Sequence, residues 1–148
     1  MRTLKALLAL AMLAVTLPGC AVNRASATVD PSARLDRLKA LHVVKHDQDS
    51  RDVHTLVVDN LKKRGFAVTS GADKPASAVD AIVTYVDRWM WDITMYMLEL
   101  TINIRDPKTD FPLATGNSLH TSLSRLAPEA MVEEVLGNIF KTTAKAEK

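Results

Sequence analysis

The sequence predicts an α+β fold, a two-layer sandwich in which two helices cover one face of a mostly antiparallel sheet of about five strands, in the order β-α-β-β-β-α. Three observations predict it. Apolar and polar residues alternate over residues 96–105, as in a half-buried strand. Two other segments carry apolar stripes at helical spacing, and turn signals separate the segments. With 148 residues, 47% of them apolar, the chain is long enough for one domain.

The first elements form a β-α-β unit. Residues 38–45 end in a β-branched pair and predict a strand. Asp49 or Ser50 can cap the next helix, which ends at Gly65 after three basic residues that suit the negative end of the helix dipole. Residues 66–70 predict a second, short strand. The apolar stripe of the helix consists of Val53, Leu56, Val57 and Leu61.

Two long strands follow and form a hairpin. They cover residues 79–90 and 95–105, with a turn near residues 92–94, where Asp and Thr side chains can bond the backbone. The period of two places the apolar even-numbered residues from Tyr96 to Ile104 on the buried face and the odd-numbered ones on the wet face.

The last part of the chain supplies one more strand and one helix. Residues 106–110 form a turn, and residues 113–123 predict a strand in which Gly116 suggests a bulge or bend. Pro128 opens the last helix, whose acidic residues lie near its start and whose basic residues lie near its end. Its apolar stripe consists of Val132, Val135, Leu136, Ile139 and Phe140.

Residues 1–19 predict a secretory signal peptide. Arg2 and Lys5 precede a short apolar run over residues 6–17, and small residues follow it. The run is too short for a transmembrane helix, which needs about 20 apolar residues. A buried helix would place both cations at its start, where the helix dipole disfavours them. Export implies no access to ATP or nicotinamide pools, which argues against many enzyme classes.

The sequence Leu17-Pro18-Gly19-Cys20 resembles the lipobox of bacterial lipoproteins. In that family the motif containing Leu17 and Gly19 is recognised, the signal is cleaved before Cys20, and the Cys thiol and new amine are acylated. Acylation explains the single Cys, which would otherwise be an oxidisable free thiol in an exported protein. Several acyl chains give a stable anchor. By the sorting rule of such lipoproteins, Ala21 implies the outer membrane, facing the periplasm.

The remaining chain divides into a short connection and one domain. Residues 20–34 predict a lipidated Cys and a flexible tether, because small polar residues and Pro31 show no apolar period. Residues 35–148 form the periplasmic domain. Loss of Arg2 and Lys5 with the signal leaves 17 basic side chains, equal to the 17 acidic ones. We therefore expect no nucleic-acid partner, which would need clustered cations.

The predicted hairpin is the most unusual stretch, because residues 89–97 hold both Trp and three of the six Met. Residues of opposite parity face opposite ways, so these side chains cannot all reach one core. We predict a contact surface for protein, lipid or peptide. Alternatively, the hairpin fills the core, or its Met-x-Met pair binds cuprous ion. The candidate contact residues are Trp89, Met90, Trp91, Met95, Tyr96 and Met97.

Two further groups contain side chains with catalytic or metal-binding chemistry. The first lacks any recognised ligand spacing, and we interpret it as a polar loop that caps a helix. It consists of His42, His46, Asp47, Asp49 and His54. In the second, Ser118 and His120 share a strand face without a nucleophile-elbow motif, which we interpret as a polar pair. We expect no catalytic residue, no metal and no cofactor.

From the lipobox through the order of its elements, the chain resembles small Gram-negative outer-membrane lipoproteins with a periplasmic domain like the N-terminal domain of the TolB translocation protein. Penicillin-binding-protein activators and secretion-pore lipoproteins belong to that group. Residues 81–96 and 104–109 resemble proteobacterial lipoproteins of unassigned function.

The resemblance implies a non-enzymatic binding or scaffold module, accessory to envelope assembly or secretion. It implies a membrane contact through Cys20 and an envelope protein partner. An open sheet edge would also allow self-association. The alternative is a periplasmic copper-binding, zinc-binding or hydrolytic protein.

Overall fold

The computed structural model describes residues 22–72, 75 and 78–146. In these residues, six strands form one sheet, and two helices pack against it. Single 3₁₀ turns lie at Leu35–Arg37 and Ser122–Ser124. The strands are β1 (Asn23–Val29), β2 (Ala40–Val44), β3 (Ala67–Gly71), β4 (Ala81–Asp92), β5 (Thr94–Arg105) and β6 (Pro112–His120). The helices are α1 (Val53–Lys63) and α2 (Pro128–Ala146).

The strand order across the sheet is β1-β6-β5-β4-β2-β3. The pairs β1–β6, β6–β5 and β5–β4 are antiparallel, whereas β2 is parallel to both β3 and β4. The parallel pair β2–β3 arises because α1 carries the chain back to the same end of the sheet. The α+β class is confirmed, but the sheet is mixed and has six strands rather than about five.

The additional strand is β1, which occupies the segment where the sequence predicted a flexible tether. Its seven residues pair with β6 from Asn23 opposite His120 to Val29 opposite Ala114. Ala27 and Val29 pack against the core, while most of the strand is exposed. An edge strand of small and polar residues buries too little apolar surface to show a period of two. The tether prediction is therefore wrong for residues 23–29.

Both helices lie on one face of the sheet and share one apolar core. Leu61 of α1 and Ile139 of α2 are fully buried there, and burying such a side chain contributes roughly 1.5–3 kcal/mol. Arg64 at the end of α1 contacts Glu133 of α2 at 2.7 Å, which ties the helices together. The predicted bulge at Gly116 is wrong, because the pairing of β6 runs unbroken through this residue on both sides.

Candidate functional site

The β4–β5 hairpin does not follow the predicted alternation along its whole length. Arg88 pairs with Glu99, but the next residue, Trp89, pairs with Met97, so Leu98 is skipped. This bulge reverses the alternation, and Met97 rather than Leu98 continues the fully buried face. The predicted burial is confirmed at Leu100, Ile102 and Ile104, which are fully buried, and at Tyr96, which is buried outside the main core cluster.

Two of the aromatic residues predicted as contacts fasten the hairpin to the domain. Tyr96 is buried, with the guanidinium of Arg125 4.9 Å from its ring centroid. Trp89 is half-buried, and its Nε1 donates to Asp87 at 2.5 Å. The guanidinium of Arg51 lies 4.4 Å from the Trp89 ring centroid. Such cation–π contacts favour a fixed ring position. The structure therefore gives Trp89, Tyr96 and Met97 packing roles.

The other three predicted contact residues are exposed near the hairpin turn. Trp91 is 67% exposed, and Met90 and Met95 are exposed as well. Ile93 forms the turn itself, which confirms the turn near residues 92–94, and is 86% exposed with φ at 60°. A β-branched residue rarely adopts a positive φ, and strain of this kind is characteristic of functional sites. Sequence analysis did not single out Ile93.

The chain enters the domain at the same end of the sheet as this turn. The Val22 N–H donates to Oγ1 of Thr121 at 2.9 Å. The Val22 carbonyl accepts from the Thr121 N–H at 3.0 Å and from Oγ of Ser124 at 2.9 Å. These bonds hold Val22 against the residues that follow β6.

The residues after β6 also contact the hairpin turn. Ser122 donates a hydrogen bond to the carboxylate of Asp92, and Nη1 of Arg125 donates to Oγ1 of Thr94 at 2.7 Å. Leu123, between these contacts, is 78% exposed. Sequence analysis placed Leu123 in a strand, but β6 ends at His120. We name the exposed apolar side chains of this end the apolar tip: Met90, Trp91, Ile93, Met95 and Leu123.

The polar loop before α1 centres on Asp49, whose side chain is 1% exposed. Its carboxylate accepts from the N–H of Val53 at 3.0 Å, the N–H of His54 at 2.8 Å and the Tyr85 hydroxyl at 2.6 Å. Burial alone would raise its pKa, but these donors outweigh burial and lower the pKa of Asp49 to about 2. The predicted capping role of Asp49 is confirmed, although Asp52 occupies the N-cap position.

The other residues considered as metal ligands do not gather around this carboxylate. His42 bonds Oγ1 of Thr69 at 2.8 Å, between β2 and β3. Only His54 approaches Asp49, at 3.3 Å, while His46 and Asp47 are exposed in the loop. Within residues 22–72, 75 and 78–146, no three His, Cys, Asp or Glu side chains converge on one point.

A shallow cavity of about 330 Å³ opens beside this loop. Two of its side chains are committed to neighbours, Tyr85 to Asp49 and Trp89 to Asp87. No buried side-chain nitrogen or oxygen of the described residues lacks a hydrogen-bond partner. The cavity is lined by His46, Gln48, Ser50, Tyr85, Val86, Asp87 and Trp89.

Ser118 and His120 of β6 meet Glu134 of α2. Oγ of Ser118 donates to Oε2 of Glu134 at 2.6 Å, and Nε2 of His120 lies 2.8 Å from the same oxygen. Burial would raise the pKa of Glu134, but these hydrogen bonds outweigh it and lower that pKa. A nucleophilic pair needs the hydroxyl to donate to the imidazole. Here Ser118 donates to the carboxylate and is fully buried, so the three residues join α2 to the sheet.

The predicted lipidation motif lies outside the described residues. This applies to Leu17, Gly19, Cys20 and the whole predicted signal peptide. Only Ala21 separates Cys20 from Val22, so the two residue steps span at most about 7 Å in an extended chain. In the described part of the chain, no helix has the length and apolar character needed to cross a membrane.

Comparison with family models finds no match, and comparison with curated proteins finds none. Among solved structures, the chain is similar to the PelC dodecamer from Paraburkholderia phytofirmans, with a TM-score of 0.58 and 13% identity over 80% of this chain and 98% of that one. A single-residue variant of that PelC gives a TM-score of 0.52 at 15% identity, over 80% and 97%. A PDZ domain protein from Parabacteroides distasonis gives 0.48 at 14% identity, over 78% and 35%. The PelC likenesses concern the fold.

Proposed function

We propose that the protein is a lipid-anchored, non-enzymatic binding or scaffold module of the outer membrane. It faces the periplasm and is accessory to an envelope assembly or secretion process. One contrast carries this proposal. Ser118, His120 and Asp49 make internal hydrogen bonds, whereas exposed apolar side chains gather at the end where the chain enters the domain. Such exposure is typical of contact surfaces.

The lipid anchor is supported by the predicted signal peptide and by the resemblance of residues 17–20 to a lipobox. The hydrogen bonds of Val22 also restrict how the domain is oriented relative to the membrane. They leave only two residues, Ala21 and Val22, between the acylated Cys20 and the first strand. A domain held this closely cannot swing freely as it would on a tether of fifteen residues. Copies on one membrane therefore present the same end of the sheet to the bilayer.

Strand β1 offers a protein contact within that orientation. It lies at one edge of the sheet, so one side of its backbone is unpaired with β6 or any other strand of the described chain. Open edges pair readily with a further strand. The solved PelC of similar fold is a dodecamer. We propose that β1 pairs with a second copy of this chain or with a strand of another envelope protein.

Photocrosslinking in cells tests this proposal. A photoreactive amino acid replaces Ser26, which is exposed on β1, in the full-length protein. The control probe replaces Lys108, which is exposed in the β5–β6 turn at the other end of the sheet. We expect an adduct of one defined mass from position 26 and none from position 108. Equal adducts from both positions, or none from position 26, would contradict the role of β1.

A further inference from the structure

We infer that the apolar tip inserts into the lipid surface of the membrane that holds the anchor, as a second attachment point of the domain. This inference rests on the proposed lipid anchor at Cys20. The exposed end of the hairpin then lies in the phospholipid headgroup layer and the adjoining part of the acyl chains.

The apolar tip differs from the rest of the surface because its exposed apolar side chains are grouped at one end of the sheet. Trp91, Ile93 and Leu123 are each at least two-thirds exposed and lie at one end of the sheet. The other strongly exposed large apolar residues of β4 to β6, Val86 and Phe111, lie apart from it. Single exposed apolar residues are normal, whereas a cluster marks a protein or membrane contact.

The strand register sets how far the tip projects. Asn23 pairs with His120, and Leu119 pairs with Glu99, so the start of β1 is level with Leu98. Ile93 lies five residues further along the hairpin, or roughly 16 Å of strand. The two residues that lead from Val22 to Cys20 span at most about 7 Å. Measured from the level of Asn23, the three steps to Cys20 span at most about 10 Å, so Ile93 projects roughly 6 Å beyond the furthest reach of Cys20.

The short reach of Cys20 favours lipid over protein as the partner that covers the apolar tip. A helix is about 10 Å across, and stacked sheets lie about 10 Å apart. A protein layer of that thickness does not fit between the tip and a bilayer that Cys20 must reach. An amphipathic helix lying in the headgroup layer buries its apolar face by roughly 5–10 Å. This depth is close to the distance by which the tip projects beyond Cys20.

The side chains around the tip suit a membrane interface. Trp91 projects at the turn, with the Tyr96 ring and the guanidinium of Arg125 packed together behind it. Trp favours the headgroup level, and Trp91 is the more exposed of the two Trp residues. The polar side chains of the turn are already paired, Asp92 with Ser122 and Thr94 with Arg125. The tip therefore enters a less polar layer without an unpaired polar side chain from these residues.

Quenching of tryptophan fluorescence by brominated lipid tests the inference. The mature lipidated protein is reconstituted into phosphatidylethanolamine and phosphatidylglycerol vesicles, with and without bromine on the acyl chains. We expect bromine to quench the emission of Trp91. The Trp91→Phe variant leaves only half-buried Trp89 and should lose that quenching. The matched control adds Phe111→Trp to Trp91→Phe, which moves the fluorophore to the opposite end of the sheet, and should stay unquenched.

Unchanged Trp91 emission in brominated vesicles, or equal quenching of Phe111→Trp, would overturn the inference. A single protein adduct from a photoreactive probe at position 91, together with absent quenching, would also overturn it and assign the tip to a protein. The mass of the N-terminal peptide of the same sample reports the anchor separately. Quenching without acylation would support the tip while refuting the anchor, and acylation without quenching would refute the tip alone.

Discussion

Gly116 of β6 lies directly beneath Val135 of α2. A Cβ atom added to Gly116 would lie 2.7 Å from Cγ1 of Val135 and 3.0 Å from the side chain of Ile139. Such distances are below van der Waals contact in a core that is already filled. Gly116 therefore lets the helix approach the sheet backbone, which explains this glycine without the bulge that the sequence suggested.

Replacement of Gly116 by Ala should lower the free energy of unfolding by about 1–3 kcal/mol, because Val135 and Ile139 must move. The control is Gly71→Ala, whose Cβ would meet its nearest neighbour at 3.9 Å. We expect Gly71→Ala to be neutral or slightly stabilising. Urea denaturation measures both, and equal effects of the two substitutions would contradict the close approach of α2.

Replacement of Asp49 by Asn should destabilise the domain by about 1–3 kcal/mol, because one amide oxygen cannot accept from all the donors around the carboxylate. Asp47→Asn is the control, since Asp47 is exposed in the same loop. Thermal unfolding at neutral pH compares them. If both variants matched the wild type, Asp49 would not hold the start of α1.

Asp49 also predicts how stability depends on pH. Its pKa in the folded domain is about 2, below the usual 3.8. The stabilisation is therefore fully present above the unfolded pKa and is lost as the pH falls from about 4 towards 2. Asp49→Asn should show a smaller loss of stability over this window than the wild type. Parallel acid curves for the two proteins would refute the assignment.

Replacement of Glu134 by Gln should lower stability by about 1–3 kcal/mol, because the oxygen shared by Ser118 and His120 is lost or turned away. Glu129→Gln is the matched control on the same helix, at an exposed position. Chemical denaturation provides the comparison. An equal or larger effect of the Glu129 substitution would show that the half-buried Glu134 carboxylate does not join α2 to the sheet.

Replacement of Ile93 by Gly should raise stability by about 1 kcal/mol, because glycine adopts a positive φ without the steric cost borne by a β-branched residue. Ile93→Ala is the control, since it removes the apolar side chain but keeps a Cβ at φ 60°. We expect Ile93→Ala to unfold close to the wild type and Ile93→Gly at a higher temperature. Calorimetry measures this difference, and identical unfolding temperatures for the Gly and Ala variants would contradict a strained turn.

Elements with local periodicity were predictable. The helix that begins at Val53, the helix that begins at Pro128 and the β4–β5 hairpin all show their apolar pattern in the chain itself. Strand β1 was missed because its small, polar residues contribute backbone pairing rather than apolar burial. Pairing of this kind leaves no pattern in a single sequence.

The candidate site was predictable only as a region. The sequence located the Trp-rich and Met-rich hairpin, but the bulge at Leu98 depends on how β5 pairs with β4. That bulge places Met97 on the buried face, whereas Met95, on the same face but nearer the turn, is exposed. Ile93 and Leu123 belong to the tip because distant segments meet there, although a β-branched apolar residue in a predicted turn was a usable signal for Ile93.

The mass of the N-terminal peptide of the protein extracted from the outer-membrane fraction tests the central claim most directly. We predict a peptide that begins at Cys20 and carries a diacylglyceryl group on its thiol and an acyl chain on its amine. Cys20→Ser should abolish both the modified peptide and the outer-membrane location. A chain that begins at Met1, or a mature chain with an unmodified Cys20, would contradict the anchored module proposed for this protein.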